Sequence, residues 1–233
     1  EVFEIDEIIA EEDNAFTDGA RYSLSSDEIH EEGEARAILL EEVGEGAFND
    51  SSPKFATQEK YREITHRAIH PGEVVVAKMA EPVARACLVP DTYDKYLLGC
   101  ADVVRIVPDE EVEDRFLMYC MNSFPVWKQA VAHLRGTGRS RINLENISEL
   151  KIPSPPLTEQ RKIASVLYNV DQAIKKTGEI VDQTHEVKSG LMQDIFHGKH
   201  ETHQEHVSTP VGEIPSHWKV ASIGDVVHTA QYG

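Results

Sequence analysis

Residues 151–198, KIPSPPLTEQRKIASVLYNVDQAIKKTGEIVDQTHEVKSGLMQDIFHG, join a proline-stiffened strip to a predicted long helix. The three prolines keep the strip extended, because a residue that precedes proline is disfavoured in the helical region of backbone space. Thr158 is suited to cap the helix and Gly198 to end it. No proline interrupts the stretch between them, so a rise of 1.5 Å per residue predicts a helix about 60 Å long.

Apolar side chains recur along this helix in alternating steps of four and three residues, and we call this set the seam. The seam residues are Ile163, Leu167, Val170, Ile174, Val181, Leu191 and Ile195. Such a repeat is typical of a coiled coil, so the helix is predicted to be a spacer or a dimerisation rod. Polar residues at Thr177, Thr184 and Lys188 either weaken the seam, fix its register or leave room for a partner. An ordinary amphipathic helix packed on its own domain is the alternative.

The composition is that of one folded domain with an extension. The chain has 233 residues, of which 40% are apolar, enough for a core. No apolar run approaches the length of a membrane span and there is no signal peptide, so we expect a soluble, cytoplasmic protein without membrane contact. The three cysteines are odd in number and widely spaced, which favours buried thiols over a disulfide framework or a zinc motif.

The net charge of −18 argues against a DNA-binding protein, but the charge is unevenly distributed. Residues 1–50 contain 17 acidic and 2 basic side chains, whereas residues 115–144 contain no acid and five cations. Those cations are Arg115, Lys128, Arg135, Arg139 and Arg141. Phosphate contact depends on the field within about a Debye length, roughly 8–10 Å, so the local charge matters more than the total. The acidic excess indicates either a salt-adapted source or an acidic face of an ordinary protein.

Strand-like patterns come early in the chain and helix-like patterns come late, which predicts an α+β domain that ends near Leu150. Residues 37–40 fit either a strand or a short helix. The predicted strands cover 74–77, 84–89 and 97–107, and the predicted helices cover 111–122 and 125–134. A basic loop follows the second helix.

That loop, GTGRSRIN at 136–143, is the best candidate for nucleic-acid contact. Its glycines let the backbone approach a phosphate, its arginines suit phosphate or guanine edges, and Asn143 suits adenine. Lys78 directly follows a predicted strand, a position where loops often carry function. The predicted DNA-binding residues are Lys78, Arg85, Arg135, Thr137, Gly138, Arg139, Arg141 and Asn143. A solvated loop and ordinary surface cations are the alternative interpretation.

The remaining polar patterns predict no metal site and no catalytic site. His197, His200, His203 and His206 recur every third residue, but Gly198 breaks the helix beneath them and no cysteine accompanies them. A polar linker is therefore the favoured interpretation of this segment. No serine-nucleophile elbow and no zinc-protease motif is present, so the chain is predicted to bind rather than to catalyse.

Several of these segments together resemble the specificity subunits of type I restriction–modification systems. IPSPPLTEQRKIASVL, the seam helix and GLMQDIFHGK look like that family's central conserved region. GEIPSHWKVASIGDVVHTAQYG resembles the start of a second target-recognition domain. Upstream, HPGEVVVAKM, a strand at Cys100–Ile106 and GTGRSRINLENISELKIPSPP resemble the body and exit of a first one. The resemblance covers roughly residues 68–233, and the block around the start of the helix is its most specific part.

The resemblance implies three parts. A target-recognition domain would occupy residues 1–150, and the conserved region with its spacer helix 151–200. Residues 201–233 would hold a linker and the start of a second, truncated recognition domain. A junction would join the domain to methyltransferase subunits, formed by Pro155, Pro156, Leu157, Glu159 and Gln160. We expect either a truncated chain or a half-length subunit, and the latter would self-associate through the seam.

The function implied is recognition of one half of a bipartite double-stranded DNA target, with the coiled coil setting the spacing between recognition domains. The implied partners are methyltransferase subunits and a restriction/translocase subunit. Those partners would use S-adenosylmethionine, ATP and Mg, and this chain would bind none of them. Two alternatives are a coiled-coil scaffold without DNA contact and an enzyme of an unrelated class. Salt-sensitive DNA binding separates the first interpretation from the scaffold, and turnover without partners would support the enzyme.

Overall fold

A computed structural model describes residues 2–19, 23–79, 81–134, 141–196, 205–227 and 229, without the side chain of Arg67. The chain divides into two compact units, Glu1–Leu167 and Tyr168–Gly233. The strands are β1 (Val2–Glu4), β2 (Phe16–Asp18), β3 (Ala35–Ile38), β4 (Phe55–Ala56), β5 (Ala68–Ile69), β6 (Val74–Ala77), β7 (Ala86–Leu88), β8 (Tyr96–Leu98), β9 (Val103–Ile106), β10 (Lys151–Pro153), β11 (His206–Thr209) and β12 (Gly212–Pro215). The α-helices are α1 (Gln58–Glu63), α2 (Asp114–Met121), α3 (Phe124–Ala132), α4 (Leu144–Ser148), α5 (Leu157–Phe196) and α6 (Ile223–Val226).

The first unit contains two four-stranded sheets, which confirms the predicted α+β class. One sheet has the order β2-β9-β6-β7 and is antiparallel, and the other has the order β4-β3-β8-β5. Only one strand pair in the second sheet is parallel among the described residues, namely β3 with β8. Residues 37–40 were predicted to form either a strand or a short helix, and the structure contains one after the other. Strand β3 ends at Ile38, and a short 3₁₀ helix covers Leu40–Glu42.

Strand β6 is buried on both faces, which explains its unbroken run of apolar residues. Val74 and Val76 pack in a cluster with residues of α2, whereas Val75 and Ala77 pack in a second cluster with residues of β8. Side chains alternate between the two faces of a strand, so a polar residue anywhere in this run would enter a core. The strand predicted at 74–77 is confirmed.

The other predicted elements are confirmed with changed limits, apart from one error. Helix α2 lies within the helix predicted at 111–122, α3 begins one residue before the helix predicted at 125–134 and ends two residues earlier, and β7 lies within the strand predicted at 84–89. The single strand predicted at 97–107 is wrong, because a turn after Leu98 separates β8 from β9. Gly99 begins that turn, where a Cβ atom would meet the Cδ2 atom of Leu39 at 2.6 Å.

Strand β10 continues the first unit beyond Leu150. It pairs antiparallel with β1, and Ile152, opposite Phe3, is buried in the core. The predicted long helix is confirmed as α5, which has 40 residues. Thr158 was predicted to cap this helix, but it lies inside the first turn. The carbonyl of Pro156 accepts the first hydrogen bonds, from the N–H groups of Glu159 and Gln160 at 2.7 and 3.1 Å.

The second unit contains a hairpin where a polar linker was predicted. Strand β11 pairs antiparallel with β12, and Ile214 is buried. The expectation of an unstructured linker is therefore wrong for residues 206–215. The predicted helix end at Gly198 lies outside the described residues. Across the described ranges, no helix combines the length and apolar content needed to cross a membrane.

Candidate nucleic-acid interface

Two predicted DNA-binding cations, Lys78 and Arg141, meet at one edge of the sheet that contains β6, namely the edge formed by the ends of its strands. Asp18 ends β2, Lys78 follows β6 and Asp102 precedes β9, so the antiparallel register places all three at the same edge. The N–H of Lys78 donates to the carbonyl of Asp102 at 2.8 Å. We call this site, together with Arg141, the Lys78 edge. Sequence reasoning missed both aspartates, because neither lies near Lys78 in the chain.

The ammonium of Lys78 is buried and paired rather than open to a ligand. Its Nζ atom donates to Oδ2 of Asp18, and 5% of the Lys78 side chain is exposed. A cation in this setting is largely neutralised by its partner, so its field at the surface is weak. Direct phosphate contact by Lys78 stays a prediction, and this geometry gives it little support.

Arg141 reaches the same edge and remains accessible. Its backbone forms a bridge with Met79, and the N–H of the buried Ile142 donates to the carbonyl of Lys78 at 2.9 Å. The Nη2 atom of Arg141 donates to the carbonyl of Ala101 at 2.9 Å. With 42% of its side chain exposed, Arg141 can turn towards a ligand without unfolding the edge.

The carboxylate of Asp102 is the counter-charge of Arg141. Nη2 of Arg141 lies 2.9 Å from Oδ1 of Asp102, which is a salt-bridge distance. Within the part of the chain that the structure describes, this buried oxygen nevertheless accepts no hydrogen bond of acceptable direction. The attraction is therefore electrostatic and not a well-formed hydrogen bond, so a better-placed anion can compete for the guanidinium.

Two further predicted DNA-binding residues have structural roles here. Asn143 caps α4, because its Oδ1 accepts the N–H of Asn146 at 2.7 Å. Arg85 is held by the four backbone carbonyls of Leu40, Val43, Met79 and Pro82. Burial lowers the pKa of Arg85. Reading adenine with Asn143 would compete with the cap, because bidentate readout needs the same amide oxygen.

Four predicted DNA-binding residues lie outside the described residues: Arg135, Thr137, Gly138 and Arg139. They directly precede Ser140 and Arg141 in the chain. Their contact with DNA stays a prediction.

Part of the acidic excess in residues 1–50 neutralises buried cations. Arg36 is fully buried and bonds Glu42 and Asp50 at 3.0 and 2.9 Å. Burial raises the pKa of Glu42, although the Arg36 guanidinium beside it acts in the opposite direction. Arg105 bonds Glu12 of this segment at 2.9 Å, and it also bonds Glu73, which lies outside the segment, at 2.6 Å. These acids are structural partners, so the acidic total overstates the repulsion that DNA would meet.

The predicted junction residues lie at the start of α5. A cleft of about 560 Å³ opens at this point, and it is lined by Pro155, Pro156 and Leu157 together with Phe3 and Ser154. Glu159 faces solvent, whereas Gln160 is buried and hydrogen-bonded within the first unit.

The seam predicted on α5 is an exposed apolar stripe. The exposed fractions of its seven residues run from 38% at Leu167 to 65% at Ile174. The hydroxyls of Thr177 and Thr184 bond carbonyls in their own helix, at Ala173 and Ile180, with distances of 2.8 and 2.7 Å. These two polar positions therefore need no partner group, and they interrupt the seam less than the sequence suggested.

No group of three or more metal-ligating side chains occurs among the residues that the structure describes. Of the four regularly spaced histidines, His206 is exposed on β11. His197, His200 and His203 fall in the undescribed range 197–204.

Fold and site together define a class of protein: an α+β unit with an accessible arginine at a sheet edge, followed by a long helix with an exposed seam. Residues 25–182 match the family model of the type I restriction modification DNA specificity domain. The chain therefore belongs to this family, which confirms the resemblance seen in the sequence. A coiled-coil scaffold of another kind is not favoured, because the match includes most of the first unit as well as the first part of α5.

The similar proteins carry the same description. The chain is 28% identical over 135 residues to the putative type I restriction enzyme MjaX specificity subunit of Methanocaldococcus jannaschii, covering 56% of this chain and 31% of that protein. It is 28% identical over 116 residues to the MjaVIII specificity subunit of the same organism, covering 50% of this chain and 27% of that protein. The chain thus matches less than a third of the length of these two relatives.

Two solved structures share the fold at low sequence identity. One is the HsdS subunit from Thermoanaerobacter tengcongensis, with a TM-score of 0.54, 17% identity and coverage of 85% of this chain and 48% of that one. The other is the type I restriction–modification S subunit from M. genitalium, with a TM-score of 0.56, 13% identity and coverage of 89% and 51%. These likenesses concern the fold alone.

Proposed function

We propose that this chain reads one half of a bipartite double-stranded DNA target and that α5 sets the spacing to a second recognition domain. The observation that carries this proposal is the position of the family match, because residues 25–182 run from the sheets of the first unit into α5. Recognition domain and spacer helix thus belong to one continuous family segment. Relatives whose printed names call them specificity subunits support the same assignment.

In this proposal, Arg141 is the residue that contacts DNA within the part of the chain that the structure describes. Its guanidinium exchanges the poorly directed contact with Asp102 for a phosphate oxygen or a guanine edge, where bidentate hydrogen bonds are available. Lys78 keeps its bond to Asp18 and holds the edge in place, because Ile142, next to Arg141, is bound to the Lys78 carbonyl. Once Arg141 has turned to the DNA, the carboxylate of Asp102 lacks this counter-charge and repels a phosphate that lies too close to it, which adds to specificity.

The chain acts in this proposal as a non-catalytic subunit in the cytoplasm, where it would meet cellular DNA. Methyltransferase subunits dock at the junction formed by residues 155–160, and a restriction/translocase subunit joins that complex. S-adenosylmethionine, ATP and Mg serve those partners. The seam on α5 pairs with a second conserved region, or with another copy of this chain if the natural subunit has half length.

The test is the salt dependence of DNA binding by an Arg141→Ala variant. The cognate duplex is first identified by sequencing methylated DNA from the reconstituted complex. If Arg141 contacts phosphate, the variant loses about one unit of the slope of log affinity against log salt. If it reads guanine, the variant loses about 1–3 kcal/mol at one base position and binds other sequences as before.

Lys176→Ala is the matched control, because Lys176 is an exposed cation on α5 and is not one of the residues of the Lys78 edge. It removes the same net charge and should leave the slope unchanged. Equal affinity and slope for the wild type and Arg141→Ala on cognate DNA would show that the Lys78 edge does not contact DNA.

A further inference from the structure

One buried amide connects the start of α5 to the start of α2. Gln160 is 1% exposed, and its Nε2 atom donates to the carbonyls of Glu111 and Pro155, both at 2.9 Å. Its Oε1 atom accepts the N–H of Glu113 at 3.0 Å. Both amide donors and the amide oxygen are therefore bonded, each to a backbone group.

The three bonded segments have separate roles in the first unit. Glu113 is the N-cap of α2, and its own side chain accepts the N–H of Phe116 at 2.6 Å. Phe116 belongs to the main core cluster, so α2 is anchored independently of α5. Pro155 lies in the extended strip before α5. A single side chain thus binds the helix start, the strip that leads into it and the capped end of α2.

The buried contact surface of α5 is short. Gln160 and Ala164 are the buried residues among the 40 of this helix. They lie one turn apart on the same face, and Ala164 joins the core cluster, where its small side chain lets the helix approach closely. Among described residues, no later position on the helix is buried, so the direction of α5 at its start depends on these two side chains and the prolines before them.

We infer that Gln160 is a positioning residue that fixes the direction in which α5 leaves the recognition unit. Its importance for target spacing rests on the proposed function, but its effect on helix direction does not. Proline fixes φ at Pro155 and Pro156, yet it leaves rotation about ψ of these residues. The three hydrogen bonds remove that freedom, because each has a directional requirement and all three share one planar amide.

A carboxylate at position 160 should break this arrangement and a carboxylic acid should restore part of it. In a Gln160→Glu variant at pH 8, the carboxylate oxygen that replaces Nε2 faces the carbonyls of Glu111 and Pro155 and cannot donate to either, while the other oxygen still accepts the N–H of Glu113. Burial raises the pKa of such a carboxyl group. The acidic side chains of Glu110, Glu111, Glu113 and Asp114 raise this pKa further, whereas the cations Arg161 and Lys162 on α5 act in the opposite direction. Near pH 5 the protonated group again offers one donor and one acceptor.

The experiment measures the distribution of distances between two spin labels by pulsed electron spin resonance, without DNA. The labels replace exposed Asp91 and exposed Lys175 and are attached through a keto-bearing residue, so that the native thiols stay intact. In the Gln160→Glu variant, the distance distribution should be broader than in the wild type at pH 8 and should become narrower near pH 5. Wild type and the control Gln193→Glu, which makes the same change at an exposed position of α5, should keep one width at both pH values.

Gln160→Leu provides a variant that no pH change can rescue. It should stay broad at both pH values, and amide exchange at Glu113 should be about tenfold faster than in the wild type. Circular dichroism and thermal melting establish that each variant is folded. A distribution as narrow as the wild type in folded Gln160→Leu would overturn the inference, and so would a Gln160→Glu distribution that stays broad on acidification. Because no DNA is present, neither result depends on whether the first unit reads sequence.

Discussion

The seam on α5 gives the most quantitative prediction. Ile174 is 65% exposed and Ile180 is 61% exposed, but Ile174 belongs to the seam and Ile180 does not. Full burial of an isoleucine side chain stabilises by about 1.5–3 kcal/mol, so burying the exposed part of Ile174 contributes roughly 1–2 kcal/mol per helix. Aspartate removes this contribution and adds a desolvation cost of about 1–3 kcal/mol.

Pairing of two copies doubles the effect, because both helices carry the change. Ile174→Asp should weaken a symmetric pair by at least about 4 kcal/mol, or about a thousandfold or more in Kd. Ile180→Asp is the matched control and should leave pairing almost unchanged. Sedimentation velocity over a concentration series measures both. Self-association through the seam would be refuted if the two variants paired equally well, or if the unaltered protein stayed monomeric at tens of micromolar (an order-of-magnitude choice for weak pairing).

Three further predictions concern the stability of the first unit, the stability of α5 and the reactivity of two buried thiols. Gly99→Ala should lower the free energy of unfolding by about 1–3 kcal/mol, because the new Cβ atom meets Leu39 at 2.6 Å and the Ile38 carbonyl at 3.1 Å. Gly178→Ala has open space and a helical backbone, so it should stabilise by roughly 0.5–1 kcal/mol, and a loss on thermal melting would contradict the reasoning. Burial raises the pKa of Cys87 and of Cys120 to about 12, so at pH 8 only about one thiol in ten thousand is ionised. Both should resist a thiol reagent in the native protein and react within minutes in denaturant, and rapid native labelling of either would show that it is not buried.

The sequence was most informative where one residue pattern has one physical cause. The run at 74–77 required a strand buried on both faces, and α5 followed from its length without proline and its repeated apolar spacing. It was least informative where a turn interrupts an apolar run. Gly99 falls between Leu98 and Val103, and its tight fit against Leu39 depends on a strand pairing that only the folded chain brings about.

The candidate site was less predictable than the fold, because cations of the same type have different surroundings. Arg85 and Arg141 look alike in sequence, yet four carbonyls hold Arg85 while Arg141 is accessible beside Asp102. Lys78 was chosen for its place after a strand, and its partner Asp18 lies 60 residues earlier. Gln160 was expected at the junction because of the family resemblance, but its three backbone partners could not be read from the sequence.

The most direct test of the central claim is selection from random duplex DNA by the chain assembled with its methyltransferase subunits, at near-physiological salt. The proposed function predicts enrichment of one split motif with a fixed gap, and Arg141→Ala should weaken selection or relax it within one half of that motif. Recovery of random sequences by a folded, fully assembled complex would contradict sequence recognition by this chain.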